Sequence, residues 1–93
     1  MPKIGNMEVK KYILPKQCRA ARALLGWSRD QLAKLSDVGP RTLMDFERGT
    51  RQPHRRTIAD IRRSLEDGGV IFLDEDDEGP GVRLKKKNPK SSA

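Results

Sequence analysis

Arginine and lysine side chains are concentrated in the middle of this 93-residue chain. Residues 15–65 hold 12 Lys/Arg against 5 Asp/Glu, residues 66–79 hold 7 acids and no Lys or Arg, and residues 80–93 hold 5 Lys/Arg and no acid. Guanidinium and ammonium groups bind phosphates and other anions, and the net charge is +7. This distribution predicts a polyanionic partner for the middle segment.

Groups suited to catalysis or metal binding are scarce. His54 is the single histidine and Cys18 the single thiol, which is too few ligands for an ordinary zinc site. A catalytic triad would need His54 with Ser28 or Ser36 as nucleophile, and Ser28 fits a helix cap. The acidic residues 74–78 lack an EF-hand pattern. We therefore predict no enzyme, no catalytic residue, no metal and no cofactor, with Cys18 in the core.

The expected compartment follows from the same composition. A single cysteine excludes an intramolecular disulfide, and no apolar run approaches the roughly 20 residues that span a membrane. The first residues also lack the apolar stretch of a secretory signal. These features predict a cytoplasmic protein that does not enter a membrane.

The basic side chains must be positioned by helices, and two helix boundaries are marked by capping residues. Pro15 fits the first turn of a helix that ends at Gly26. Ser28 followed three residues later by Gln31 forms a capping box, which predicts a second helix over residues 29–35.

A third helix follows after a break of about four residues. Residues 36–39 form the break, and Pro40 opens a helix that Gly49 ends. Leu43 and Phe46 are three apart and point inward. The outward positions are Arg41, Thr42, Asp45 and Arg48.

The remaining segments are a helix and a β segment. A fourth helix from about His54 to Asp67 places Ile58, Ile61 and Leu65 on one face. Two short apolar runs, at 70–73 and 82–84, are joined through Gly79-Pro80-Gly81, which favours a β-hairpin. We therefore divide the chain into an N-terminal arm at 1–14, a helix-turn-helix domain at 15–69, a β segment at 70–84 and a disordered basic tail at 85–93.

Two short helices joined by a tight turn form a helix-turn-helix. Over about residues 16–67 this chain resembles the helix-turn-helix domain of the phage lambda and Cro repressors, the XRE family. The matching residues are Arg22, Ser28-Arg29-Asp30-Gln31-Leu32-Ala33, Val38, Leu43, Phe46-Glu47-Arg48-Gly49, Pro53, Ile61 and Leu65. The resemblance implies a mainly α fold, a compact bundle of four or five helices that binds double-stranded DNA, here with a short C-terminal β-hairpin or strand.

The resemblance also implies roles for individual residues. The third helix would lie in the major groove, where its side chains meet base edges. The predicted base-reading residues are Pro40, Arg41, Thr42, Met44 and Asp45. The predicted phosphate contacts are Arg22, Arg29, Arg48, Thr50, Arg51 and Gln52. Arg22 would form the family's ion pair with Glu47, an exposed salt bridge of little stabilising value that turns Arg22 toward a phosphate.

The chain departs from the family pattern around the turn. Asp37 stands where the family usually has glycine, and Gly39-Pro40 stands where it often has serine. Because proline cannot donate a hydrogen bond to a base, Arg41, Thr42 and Asp45 must supply most of the readout. Asp45 either accepts from cytosine or braces a neighbouring arginine, and we favour bracing. Met44 favours packing over a thymine contact.

The sequence thus predicts a sequence-specific, repressor-like transcriptional regulator that acts as a homodimer on a palindromic operator. We expect the dimer surface to involve Ile71, Phe72 and Leu73, apolar side chains with little other core to join. The alternative is an antitoxin-type or other interaction module whose segment 70–93 binds a protein partner, since its charge alternates in sign. RNA binding is disfavoured by the scarcity of aromatic residues.

Overall fold

The computed structural model describes residues 12–86 and confirms a mainly α fold with a small hairpin. The elements are α1 (Pro15–Leu25), α2 (Arg29–Ser36), α3 (Pro40–Arg48), α4 (Arg55–Gly68), β1 (Val70–Leu73) and β2 (Gly81–Leu84). Most of the predicted N-terminal arm (1–11) and the end of the predicted tail (87–93) lie outside the described residues. Within 12–86, no helix has the length and hydropathy needed to cross a bilayer.

The helix boundaries follow the capping residues. Ser28 Oγ accepts from the Gln31 N–H at 3.0 Å, and Gln31 Oε1 accepts from the Ser28 N–H at 2.7 Å, which confirms the capping box. Asp37 ends α2 in the left-handed conformation, with φ 57°. Helix α2 runs one residue further than predicted, to Ser36, and Ser36 Oγ donates back to the Leu32 carbonyl at 2.6 Å.

The fourth helix is shifted by one residue from its predicted bounds. His54 is the residue before α4, and its Nδ1 accepts from the Arg56 N–H at 3.2 Å. Gly68 is the last helical residue, and Gly69 ends the helix with φ 116°. The sole histidine therefore caps a helix.

The core lies between the four helices and the inner face of the hairpin. Its helical members include the predicted inward residues of α3 and α4, together with Cys18, whose core position is confirmed. The fully buried side chains of this set are Cys18, Ala21, Leu32, Leu43, Phe46, Ile58, Ile61 and Leu65. This packing fixes α2 and α3 against α1 and α4, leaving the opposite side of α3 exposed.

The hairpin takes part in the same core, which corrects one premise of the dimer prediction. Val70 and Phe72 share the inner face of β1, because alternate residues of a strand point to opposite sides. Phe72 is only 7% exposed, and the Arg62 guanidinium lies 5.2 Å from the centre of its ring. The expectation that Phe72 has little core to join is wrong, whereas Ile71 is exposed and Leu73 half-buried.

A buried glutamine fastens the hairpin to α1. Gln17 Oε1 accepts from the Leu14 N–H at 2.8 Å at the start of the helix. The Gln17 amide nitrogen donates to the carbonyls of Leu73 and Gly81, at 3.2 and 3.0 Å, so one side chain holds the ends of both strands. Buried polar groups are stable only when paired in this way, and sequence analysis did not single out Gln17.

Glycine at position 68 is required by a close contact with Trp27. A Cβ added to Gly68 would lie 2.6 Å from Cη2 and 2.7 Å from Cζ2 of the indole. We expect Gly68→Ala to destabilise the fold by about 1–2 kcal/mol, since overpacking outweighs the better helix propensity of alanine. Thermal unfolding measures the loss, and fluorescence of Trp27, the single tryptophan, reports the displaced ring. Unchanged stability with unchanged emission would contradict this contact.

Candidate nucleic-acid interface

The exposed side of α3 is the candidate interface. Leu43, Phe46 and Glu47 turn inward and are buried, and Gly39 begins the helix without a side-chain cap. Pro40 and Arg41 are exposed at the start of the helix. An α-helix with its side chains is about 10–12 Å across, which fits the roughly 12 Å width of the DNA major groove.

Arg41 and Asp45 form an ion pair along this exposed side. Arg41 Nε lies 3.4 Å from Asp45 Oδ2, one helical turn away, and the Arg41 side chain is 81% exposed. The bracing arrangement that we favoured for Asp45 is therefore present. Thr42 and Met44 are half-buried beside the pair, so Met44 contributes part of its side chain to packing.

Behind α3, the carboxylate of Glu47 joins three helices. Arg22 from α1 donates to both carboxylate oxygens, through Nε at 2.7 Å and through NH2 at 2.9 Å. Arg29 from α2 donates through Nε at 3.2 Å, and Cys18 Sγ donates at 3.1 Å. Arg19 donates to the Glu47 backbone carbonyl. We call Cys18, Arg19, Arg22, Arg29 and Glu47 the Glu47 cluster.

The Glu47 cluster corrects the expectation of an exposed ion pair. The Glu47 side chain is 1% exposed and that of Arg22 17%. Breaking a buried ion pair by removing one partner costs far more than breaking an exposed one. The pair is therefore a structural clamp between α1 and α3, not a surface salt bridge.

Burial and neighbouring charges have opposite effects on the pKa of Glu47, whereas burial and the Glu47 carboxylate both raise the pKa of Cys18. Burial by itself would raise the pKa of Glu47, but hydrogen bonds from Arg22, Cys18 and Arg29, with the attraction of Arg22, lower it below its ordinary value. The pKa of Cys18 is strongly raised, first by burial and then by the adjacent Glu47 carboxylate. The hydrogen bond to Glu47 raises the pKa of Arg22. Glu47 is thus charged and Cys18 a neutral thiol near neutral pH.

Arg22 and Arg29, which both bind the Glu47 carboxylate, differ in how well they are placed to contact a phosphate. Arg22 uses Nε and NH2 for Glu47 and NH1 for the Trp27 carbonyl, at 3.1 Å. Its guanidinium is therefore largely committed within the protein. Arg29 makes a single bond to Glu47 at the start of α2 and is half-exposed. A helix N-terminus favours an anion, so Arg29 is the better placed of the two.

The other predicted phosphate contacts lie together where α3 ends. Gly49 terminates the helix with φ 76°, and Thr50 folds back so that its Oγ1 donates to the Asp45 carbonyl at 3.2 Å. The exposed residues of this end are Arg48, Thr50, Arg51 and Gln52. Arg41 and these four residues therefore lie at opposite ends of α3.

Sequence analysis missed two members of the Glu47 cluster. Arg19 lies three residues before Arg22 on the same side of α1, a spacing that could have marked it. The bond from Cys18 to Glu47 has no signal in the local pattern, because the two residues are 29 positions apart.

A family model described as helix-turn-helix matches residues 19–66, a little over half of the chain. The matched range runs from within α1 to within α4 and contains α2, α3 and the Glu47 cluster except Cys18. No curated protein matches the chain.

Proposed function

Since this chain belongs to the helix-turn-helix family of the XRE and lambda-repressor type, we propose that it is a sequence-specific regulator that places α3 in the major groove of double-stranded DNA. The family is one of DNA-binding transcription regulators and is generally non-enzymatic. The proposal rests mainly on the difference between the inner and outer sides of α3. Glu47 clamps its inner side, while Arg41 and the residues after Arg48 are exposed at its two ends.

Base readout is assigned to the first turns of α3. Arg41 makes a bidentate contact with guanine O6 and N7, the commonest specific contact in the major groove. Asp45 holds the Arg41 guanidinium in place through the ion pair, and Thr42 contacts a thymine methyl or donates a hydrogen bond. Pro40 and Met44 contribute shape at the groove surface.

Phosphate contacts flank the base readers. Arg29 at the start of α2 reaches one strand, with Arg22 behind it, and Arg48, Thr50, Arg51 and Gln52 reach the other. Such contacts fix the register and add affinity, but they carry no sequence information. The positive charge of residues 15–65 steers this face toward the duplex.

The regulator acts as a homodimer and represses by occupying a palindromic operator. Twofold symmetry places the two α3 helices about 34 Å apart, one turn of DNA. The alternative of an interaction tail receives less support from the fold. Gln17 and Phe72 tie the hairpin into the same core as the helices, so residues 70–84 are an integral part of the domain.

Selection of duplexes from a random pool, followed by titration across salt concentrations, tests the proposal. We expect one enriched, palindromic sequence that binds at least about 10³-fold more tightly than random duplex. Equal affinity for selected and random DNA at every salt concentration would overturn it.

Removing Arg29 separates phosphate contacts from base contacts. We expect Arg29→Ala to weaken selected and random duplexes alike and to reduce the slope of log K against log salt by about 1. Fluorescence anisotropy titrations at several salt concentrations measure both. Arg63→Ala is the control, because Arg63 on α4 is also ion-paired, to Asp60 at 3.2 Å, and should leave the slope unchanged. A loss confined to the selected duplex would assign Arg29 to base readout.

A further inference from the structure

The hairpin has two outer edges that pair with no other strand within residues 12–86. In an antiparallel pair, every second residue directs its backbone N–H and C=O away from the partner strand. The Lys85 N–H donates to the Gly69 carbonyl at 2.6 Å, in the register that pairs Val70 with Leu84. This bond shows that Gly69 and Lys85 direct their backbone groups toward each other, so the next residue of each strand directs its groups outward. The outward backbone groups are those of Val70 and Phe72 on β1 and of Val82 and Leu84 on β2.

We propose that a second copy of this chain adds to the β1 edge, so that two hairpins form one four-stranded antiparallel sheet across a twofold axis. The inference rests on the dimer of the proposed function and identifies its surface. An open strand edge is a template for pairing with another chain. A strand that pairs antiparallel with its own copy gives a closed, twofold assembly.

Val70 and Phe72 must bond to the second copy, and the two copies must be related by a twofold axis. Two registers of β1 against its own copy meet both conditions and pair most of the strand. In the first, Ile71 lies opposite the same residue of the second copy. In the second, Ile71 lies opposite Leu73 of the second copy. Both are positions without mutual hydrogen bonds, where the backbones and side chains approach most closely. Since Ile71 is 39% exposed, each register covers apolar surface that the monomer leaves in water.

The same rules disfavour the β2 edge. A register centred on Arg83 sets two guanidinium groups opposite each other. Shifting the register of β2 against its copy in one direction sets Arg83 opposite Lys85. Shifting it in the other direction places Pro80, which has no N–H, at a position that must donate a hydrogen bond between the strands. Like charges directly opposite destabilise a strand pair, and proline removes a ladder hydrogen bond.

Mixed pairing of β1 with β2 is disfavoured because it does not form a closed dimer. It leaves one free edge on each copy, so further copies would add to form a ring or a filament. Pairing through β1 also leaves the side chains of the core in place. Val70 and Phe72 keep their side chains in the core and offer only backbone groups, while Ile71 is already on the outer face.

Two lysine substitutions, one on each strand, test whether the dimer forms through β1. Ile71→Lys and Leu84→Lys each place an ammonium group at an exposed apolar position, and Leu84 is 47% exposed. We expect sedimentation equilibrium of the full chain to show a dimer that Ile71→Lys weakens at least about tenfold. In the first register the two lysines lie directly opposite each other and repel, and in the second the lysine replaces the apolar contact between Ile71 and Leu73. Leu84→Lys should dimerise as the wild type does.

Amide hydrogen exchange of the wild type gives a second measurement that needs no substitution. Exchange at Val70 and Phe72 should slow as protein concentration rises, whereas exchange at Val82 and Leu84 should not change. A wild-type monomer at the highest soluble concentration, concentration-dependent protection of Val82, growth of filaments, or dissociation by Leu84→Lys alone would each overturn the proposal.

DNA binding separates this inference from the proposed function. The Ile71→Lys monomer should bind a single half-site as the wild type does and lose cooperative binding to the paired site. If Ile71→Lys remains dimeric and still binds a half-site, the proposed β1 interface is wrong and the proposed DNA-binding function is retained. If the wild type dimerises through β1 but binds no half-site, the proposed DNA-binding function is wrong and the β1 interface is retained.

Discussion

Glu47→Ala should be among the most destabilising single substitutions in this domain, by about 3 kcal/mol, because it removes one partner from a buried ion pair. Arg22 loses the acceptor of its Nε and NH2 groups, and Cys18 and Arg29 each lose one hydrogen bond. The value lies at the low end for such pairs, since Arg22 keeps 17% exposure and its bond to Trp27. For a small domain this is a large part of the total stability.

Urea unfolding at pH 7 measures the effect, with Glu66→Ala as the matched control. Glu66 also accepts from an arginine, Arg62 Nε at 3.0 Å, but its side chain is 43% exposed. Because the Glu66 carboxylate stays largely in water, its removal should cost less than about 1 kcal/mol. Equal losses for the two variants would show that the Glu47 cluster is no clamp.

The pH dependence of the same comparison follows from the direction of the Glu47 pKa. The pKa is lower in the folded state than in the unfolded state, so the unfolded chain binds the proton more readily. The stabilisation is complete well above the unfolded value of about 4.3 and is lost as pH falls through the folded value. The difference between the wild type and Glu47→Ala should therefore shrink below about pH 4. A difference that stays constant down to pH 2 would contradict the linkage.

Arg41→Ala should lower the affinity for the selected operator by about 1–3 kcal/mol per half-site and abolish the preference at one base pair. The guanidinium is exposed at the start of α3 and held by Asp45, which reduces the conformational freedom lost on binding. Affinity for random duplex should fall much less, because a base contact is made only with the matching guanine. Asp45→Asn should give a smaller loss at the same base pair, since it frees the Arg41 side chain.

Titration of all four single-base variants at each operator position locates the contact. Arg63→Ala is the matched control, because Arg63 is 72% exposed, against 81% for Arg41, and each is ion-paired to an aspartate on its own helix. The control should bind every duplex as the wild type does. A specificity profile unchanged by Arg41→Ala would remove Arg41 from base readout, and an equal loss in the control would attribute the effect to net charge.

Local signals in the sequence determined the helices and the family. The Ser28–Gln31 capping box, the glycines that follow α1 and α3, and Asp37 in the turn are short-range features, in which the chain within a few residues decides the backbone. Helical periodicity likewise identified Leu43, Phe46, Ile58, Ile61 and Leu65 as core, because burial on one side of a helix leaves a repeat that can be read directly.

Only the tertiary structure decided the burial and the partners of Glu47, Gln17 and Phe72. The side-chain partners of Glu47 are 18 to 29 positions away, and the two strand carbonyls bound by Gln17 are 56 and 64 positions away. No local spacing encodes such contacts. The family resemblance implied an Arg22–Glu47 pair but described it as exposed, and the apolar run at 70–73 was assigned to a dimer surface although Phe72 is buried. The packing of α1 against α3 and the hairpin sets the dielectric around each group, and this decides whether a charge pair is a clamp and whether a ring belongs to the core.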